Sequence, residues 1–248
     1  MIPSQQQANA WALIAAGGTG SRFSAESDKL FALLAGEAVL SRTLKALLAA
    51  RRIEGVVIAA RPQRHTAIQA LLDAIASVKP VIITPGGDTR RESVLNALRA
   101  LPPAATIVAV HDAARPLIRP ARIDAAIESL QTRQVQGVVV AIDVSDTLKR
   151  VTSGSGVIDA TVERACLWRA QTPQVFRRAA LMAAHQEVPR DCAVTDDAQL
   201  LELAGIGPVI VAQGEADNVK ITSPDDLRLA EALLLLDNAA VERGDSSR

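Results

Sequence analysis

The chain has 248 residues, 49% hydrophobic and 22% charged, enough for one large domain or two small ones with a substantial core. Basic and acidic residues each number 27, so the formal net charge is zero, and aromatics make up only 2%; this argues against nucleic acid held by bulk positive charge or base stacking. Two cysteines, Cys166 and Cys192, form neither a disulfide framework nor a four-ligand zinc site, and no apolar run suits a signal peptide or membrane span, so the expectation is a cytoplasmic protein away from any membrane.

Residues 1–10 are expected to be disordered and one domain to run from 11 to 236. Short apolar runs at Ala12–Ala16, Gly55–Ala60, Val81–Thr84, Thr106–His111, Gly137–Val144 and Pro208–Ala212 read as strands. Amphipathic segments near Val39–Arg51, Gln63–Ser77, Arg91–Leu101 and Ile123–Thr132 alternate with them as helices. That alternation predicts an α/β, Rossmann-like, mostly parallel sheet with helices on both faces. Continuously apolar strands such as Val138-Val139-Val140 fit burial on both sides. The rhythm breaks at about 144–165. There, short strands around a Gly/Ser turn read as a projecting β-hairpin arm, with a return near Thr172–Phe176. An arm of this kind predicts a homodimer. Helices resume at Arg178–Gln186, Asp196–Ala204 and Pro224–Leu236. Ser223-Pro224-Asp225-Asp226 and Thr195-Asp196-Asp197 supply caps and first-turn acids for the last two. Residues 237–248 are polar and expected to fray.

The first strand runs into Ala15-Ala16-Gly17-Gly18-Thr19-Gly20-Ser21-Arg22, with Lys29 following. A glycine-rich turn there brings backbone N–H groups close to a phosphate. It matches neither the NTPase P-loop nor the dinucleotide fingerprint. Two cations beside it suit a triphosphate. Only five basic residues are lysine (Lys29, Lys45, Lys79, Lys149 and Lys220), so a lysine hints at a site that favours a compact ammonium. Asp112 follows an apolar strand, at the carboxyl edge where open α/β sheets bind ligands.

The loop resembles the signature of the sugar-nucleotide pyrophosphorylase-like nucleotidyltransferases. Pro85–Val94, Val110–Pro116, Asp146–Lys149, Arg164 with Gln171–Gln174, and Asp217–Thr222 follow in order. Together, over about residues 11–236, they are similar to the 2-C-methyl-D-erythritol 4-phosphate cytidylyltransferases of the non-mevalonate isoprenoid pathway. The resemblance implies transfer of CMP from CTP to a sugar-alcohol phosphate, with pyrophosphate released. It implies that Ala15, Ala16, Gly17, Gly87, Asp88 and Ser93 line the cytidine side. Arg22, Lys29 and Lys220 would surround the triphosphate and transition state. Asp112 and Asp217 would hold Mg²⁺, and Arg115, Thr147, Arg164 and Thr172 would bind the acceptor. Part of the acceptor pocket would come across a homodimer interface. The chain departs from the family pattern at Phe23 and at Asp28-Lys29-Leu30. A ribitol-5-phosphate cytidylyltransferase and a non-catalytic nucleotide-binding protein on this fold are the alternatives. The three histidines are left out of the chemistry, as packed residues.

Overall fold

The computed structural model describes residues 9–18 and 28–242, with backbone alone for 238–242. Strand alternation explains how one apolar sequence covers two faces of a sheet. In β1 (Asn9–Ala16), Ala10, Ala12, Ile14 and Ala16 enter one buried cluster, whereas Trp11 and Leu13 enter the other. Burying a side chain such as Leu13 or Ile14 contributes roughly 1.5–3 kcal/mol. A small ribbon, β2 (Leu33–Leu34) and β3 (Glu37–Ala38), leads into α1 (Val39–Ala49). Then follow β4 (Ile53–Ala60), α2 (Pro62–Ile75), β5 (Val81–Pro85), α3 (Arg90–Ala100), β6 (Ala105–Asp112), α4 (Pro120–Thr132) and β7 (Gly137–Asp143). A hairpin, β8 (Leu148–Val151) and β9 (Ile158–Val162), precedes β10 (Trp168–Arg177). The chain goes on through α5 (Arg178–Glu187), α6 (Asp197–Leu203), β11 (Val209–Gln213) and α7 (Pro224–Glu242).

The central sheet has seven strands in the order β11-β7-β10-β6-β1-β4-β5. All neighbours are parallel except β10, which runs antiparallel to both β6 and β7. One face buries α1, α2, α4 and α7 through residues such as Leu44, Ile68, Ile127 and Ala230. The other buries α3, α5 and α6 through Val94, Leu98, Leu181 and Leu200. The expected helix-covered, mostly parallel sheet is therefore present. β8 and β9 pair with each other in a separate two-stranded sheet, where the arm was expected.

The boundaries shift in two places. β1 begins at Asn9, before the expected domain start, because Ala10 pairs with Ile53 and is fully buried. α7 runs past residue 236 to Glu242. Residues 1–8 and 243–248 lie outside the described residues.

The Ser223 cap forms as predicted, whereas α6 is capped by Asp196 rather than Thr195, one residue further on. Asp196 Oδ1 accepts from the Gln199 N–H at 2.9 Å. Asp226 Oδ2 accepts from the Ser223 N–H at 2.8 Å, while Ser223 Oγ accepts from the Asp226 N–H at 3.3 Å. A third box opens α3, with Thr89 and Glu92 bonded reciprocally, both at 3.1 Å. Among the described residues, no helix is long and apolar enough to cross a membrane.

Candidate active site

From β1 the sheet grows outward through β4 and β5, and β6 then returns to the other side of β1. The connections diverge there, opening a crevice at the carboxyl ends of β1 and β6. Register sets Ala15 opposite Asp112 across it. The glycine-rich turn thus begins beside the carboxylate that ends β6.

Two cavities meet at Asp112. One, of about 310 Å³, is lined by Ala15, Ala16, Gly17, Lys29, Arg64 and Lys220 among others. The second, of about 250 Å³, adds Arg115, Thr172 and Gln174; both share Arg90, Asp112 and Lys220. Most of the expected cleft residues gather here. A more apolar cavity of about 440 Å³, bordered by Val139, Trp168, Leu201 and Ile206, holds none of them.

Asp112 is the electrostatic centre. Its Oδ2 lies 2.9 Å from Lys220 Nζ and 3.4 Å from Arg115 Nε, and its Oδ1 lies 3.6 Å from Arg90 Nε. Burial alone would raise its pKa, but Lys220, Arg90 and Arg115 outweigh burial and hold the carboxyl well below the usual range. Arg90 also meets Asp197, at 2.7 Å. Asp197 is fully buried, and burial pushes its pKa up despite Arg90.

His111 occupies the layer beneath. Its Nε2 faces the Arg115 carbonyl at 3.2 Å and its Nδ1 faces Thr172 Oγ1 at 3.1 Å. A carbonyl only accepts, so Nε2 carries the proton and the Thr172 hydroxyl donates to Nδ1. Thr172 Oγ1 then accepts from the Asp112 N–H at 3.0 Å. Burial holds the His111 pKa down to about 4, so the ring is neutral at pH 7. It positions Asp112, Arg115 and Thr172, in keeping with its exclusion from the chemistry. Because the one Thr172 proton is spent on His111, Thr172 offers the second cavity placement rather than the donor expected of it. It reaches β6 where β10 shifts register against β7, between Ala170 and Gln174.

On the nucleotide side, Gly17, Gly87 and Ser93 converge. A Cβ on Gly17 would sit 2.6 Å from Ser93 Oγ and 3.2 Å from the Gly87 carbonyl. Ser93 is fully buried; its Oγ accepts from the Gly87 N–H at 3.1 Å and donates to the Thr89 carbonyl at 3.0 Å. Asp88 is exposed and, with Gly87, faces a cavity on the other side of this loop.

Lys29 lies 3.3 Å from the Ile221 carbonyl, which brings it to the same wall as Lys220. Its neighbour Asp28, a departure from the family pattern, accepts from Arg64 Nε at 2.5 Å and from the Leu30 N–H at 3.2 Å. Arg64 also donates to the Ala16 carbonyl, and Arg61 to the Gly17 carbonyl at 2.8 Å. Asp28 is thereby tied through Arg64 to the end of β1.

Several expectations are not met within one chain. Asp217 does not join Asp112: its Oδ2 pairs with Arg119 at 2.6 Å, beside Glu215 and Asp237, and burial raises its pKa. It lines neither cavity; its ion pair joins its loop to α4's N-cap residue, while its buried Oδ1 has no hydrogen-bonding partner among the described residues. Thr147 and Arg164 sit exposed at the base of the arm, with Arg164 donating to the Ser145 carbonyl, and they line neither cavity. Arg22 and Phe23 lie outside the described residues.

Arg64 and Arg90 were missed, and Arg61 reads from the sequence as a mere post-strand loop residue, each an arginine in a chain that uses arginine by default. One signal existed. Ala59-Ala60-Arg61-Pro62 repeats Ala113-Ala114-Arg115-Pro116, and both arginines sit just past strands that flank β1.

As for a metal, no group of three or more His, Cys, Asp or Glu side chains among the described residues could cage one. A lone ionised carboxylate in a phosphate-sized cleft fits Mg²⁺, which keeps waters and takes substrate oxygens as further ligands.

Comparison with known proteins gives a consistent result. Residues 10–235 match the family model described as IspD, 2-C-methyl-D-erythritol 4-phosphate cytidylyltransferase. The enzyme of that name from Synechocystis sp. is 44% identical over 223 residues, 90% of this chain and 95% of the relative. The 4-diphosphocytidyl-2C-methyl-D-erythritol synthase structure from Anaerococcus prevotii superposes with a TM-score of 0.80 at 27% identity, covering 92% of this chain and 99% of that one. The cytidylyltransferase structure from Thermus thermophilus gives 0.70 at 32% identity, over 90% and 97%.

Proposed function

The chain belongs to the 2-C-methyl-D-erythritol 4-phosphate cytidylyltransferase family, and from that premise we propose how its cleft performs the reaction. The activity is transfer of CMP from CTP to 2-C-methyl-D-erythritol 4-phosphate, giving 4-diphosphocytidyl-2-C-methyl-D-erythritol and pyrophosphate in isoprenoid precursor synthesis. An oxygen of the acceptor phosphate forms a bond to the α-phosphorus of CTP. The bond from that phosphorus to the bridging oxygen breaks, and pyrophosphate leaves with the electron pair. A phosphate monoester has a second pKa of about 6, so the nucleophile is already ionised at neutral pH and no general base is needed. The task is to bring two anions together and stabilise charge in the transition state.

The observation that carries this reading is Asp112, ringed by Lys220, Arg90 and Arg115 where the two cavities meet. CTP occupies the cavity bordered by Ala15, Ala16 and Gly17, its triphosphate against Lys29, Lys220 and Arg22. The base lies toward Gly87, Asp88 and Ser93. The acceptor phosphate occupies the second cavity, gripped by the Arg115 fork. Asp112 would hold Mg²⁺ together with phosphate oxygens, and the ion would supply neutralisation of the triphosphate charge. As phosphates enter, Lys220 and Arg115 turn from Asp112 to the anions, so the cations that ring the carboxylate are already in place when the substrate arrives.

The chain works as a homodimer in the cytoplasm. The arm exposes Val151, Val157 and Ile158 at 51, 62 and 60%, apolar surface that a second copy would cover. That copy would receive Thr147 and Arg164 at its acceptor cavity. Exposed Cys166 and half-buried Cys192 are free thiols, which suits a reducing compartment.

The test is a panel of nucleoside triphosphates against methylerythritol phosphate and ribitol 5-phosphate, read by pyrophosphate release. Release with CTP and methylerythritol phosphate alone is expected. Comparable release with ribitol phosphate would transfer the acceptor assignment, and none with any pair would leave a nucleotide binder.

A further inference from the structure

A third polar cavity, of about 740 Å³, opens between α3 and α5, behind the Gly86–Thr89 loop. Leu95, Met182 and Val188 line it as apolar wall, and Arg99 and Arg190 stand exposed at its margin. Neither arginine makes an ion pair among the described residues, whereas Arg91 beside them is spent on the Val188 and Pro189 carbonyls, at 2.5 and 2.7 Å. Asp88 and Glu92 also border the opening, and Glu92 is committed to the Thr89 cap.

His185 lines the same cavity. It is only 6% exposed, yet neither ring nitrogen has a hydrogen-bonding partner among the described residues. Burial, then Arg91 and Arg99, hold its pKa down to about 4, so at pH 7 the ring offers one donor and one acceptor. An unpaired buried polar group is costly and is normally satisfied. A hydroxyl, which both donates and accepts, matches a neutral imidazole. An anionic group matches free guanidinium forks, and a short carbon body matches the wall between them.

We propose that this cavity binds a small hydroxylated organic anion, its charged group at Arg99 and Arg190 and its hydroxyl at His185. The cavity shares no lining residue with the two that meet at Asp112, although Gly87 and Asp88 of the nucleotide loop form part of its rim, and Arg99, Arg190 and His185 lie on the side away from that loop's cleft-facing residues. The shared chemistry could belong to a polyol phosphate or a hydroxycarboxylate, and the probes separate the two.

The experiment uses full-length protein labelled with ¹⁵N-histidine, whose three rings, His65, His111 and His185, give few enough signals to assign. Glycerol 3-phosphate, glycerate and inorganic phosphate are titrated separately at pH 7. A saturable shift of the His185 ring signals is expected with glycerol 3-phosphate or glycerate, and the stronger of the two names the anion. In Arg99→Ala/Arg190→Ala, which alters exposed side chains outside the catalytic cleft, affinity should weaken by about tenfold or more, as loss of a charge-assisted bond predicts. Turnover without the probe should stay the same. No His185 shift with either organic anion, an equal shift in the variant, or shifts confined to His111 would overturn the proposal.

Discussion

Replacing Gly17 with alanine tests the nucleotide side most sharply, because the structure says what the added methyl would strike. The new carbon would lie 2.6 Å from Ser93 Oγ, where ordinary contact begins at 3.4 Å, and 3.2 Å from the Gly87 carbonyl. Ser93 has little freedom to withdraw, being fully buried and bonded to both Gly87 and Thr89. Overpacking of this kind costs about 1–3 kcal/mol. The cost falls on the loop that receives CTP, so Gly17→Ala should lower stability by that amount and raise the KM for CTP about tenfold or more. Ser93→Ala alone leaves the Gly87 N–H without its acceptor and should cost about 1–2 kcal/mol. In the double variant, however, the striking oxygen is gone and the Ser93 Cβ stands at a comfortable 3.7 Å. The two substitutions should therefore be less than additive, with a coupling of about 1 kcal/mol or more in a double-mutant cycle. Denaturant unfolding gives the stabilities and steady-state kinetics the KM. Strict additivity in both would refute the claim that Gly17 is glycine because Ser93 stands against it.

Lys29→Ala should lower kcat by about a hundredfold or more while CTP affinity changes far less, since its charge matters most in the transition state; calorimetric CTP binding beside turnover decides it, and lost affinity with unchanged kcat would contradict it. His111 and His185 are both held near pKa 4 in the native state, below the unfolded value of about 6.5. Their contribution is complete above pH 6.5 and is lost as pH falls toward 4, so each should cost about 2 kcal/mol of stability at pH 5. Denaturant titrations at pH 7 and 5 measure it, and equal stability would show that the rings are not held neutral. Thr147→Ala or Arg164→Ala should raise the acceptor KM with little change for CTP. Because the arm serves the partner's cavity, mixing Arg164→Ala protein with Lys29→Ala protein should, at acceptor well below the raised KM, give more activity than the two show separately. If mixing restores nothing, the arm serves its own subunit.

What could be read from the sequence followed what is local. Continuously apolar strands such as Gly137–Asp143, and caps built from Asp196 and Ser223, depend on neighbours a few positions away. Lys29 and Lys220, two of only five lysines, do lie in the cleft, whereas Lys45 pairs with Glu37 and Lys79 meets the Ala50 carbonyl. The sheet order was not legible. Nothing in Trp168–Arg177 itself says that the strand inserts antiparallel between β6 and β7, because pairing is a long-range choice. Asp197 shows the same limit. As a first-turn acid it has a sufficient local explanation, which concealed its burial against Arg90. The Arg119–Asp217 ion pair was equally out of reach, since a family resemblance carries roles and not a chain's own long-range ion pairs.

The central claim is that Asp112 and its cations form one receptacle for the triphosphate of CTP. A crystal structure of the protein with CTP and Mg²⁺ tests it most directly. The triphosphate should lie between Gly17, Lys29 and Lys220, with the metal on the Asp112 carboxylate and the second cavity open beside the α-phosphorus. A nucleotide bound elsewhere, with Lys220 and Arg115 still paired to Asp112, would contradict it.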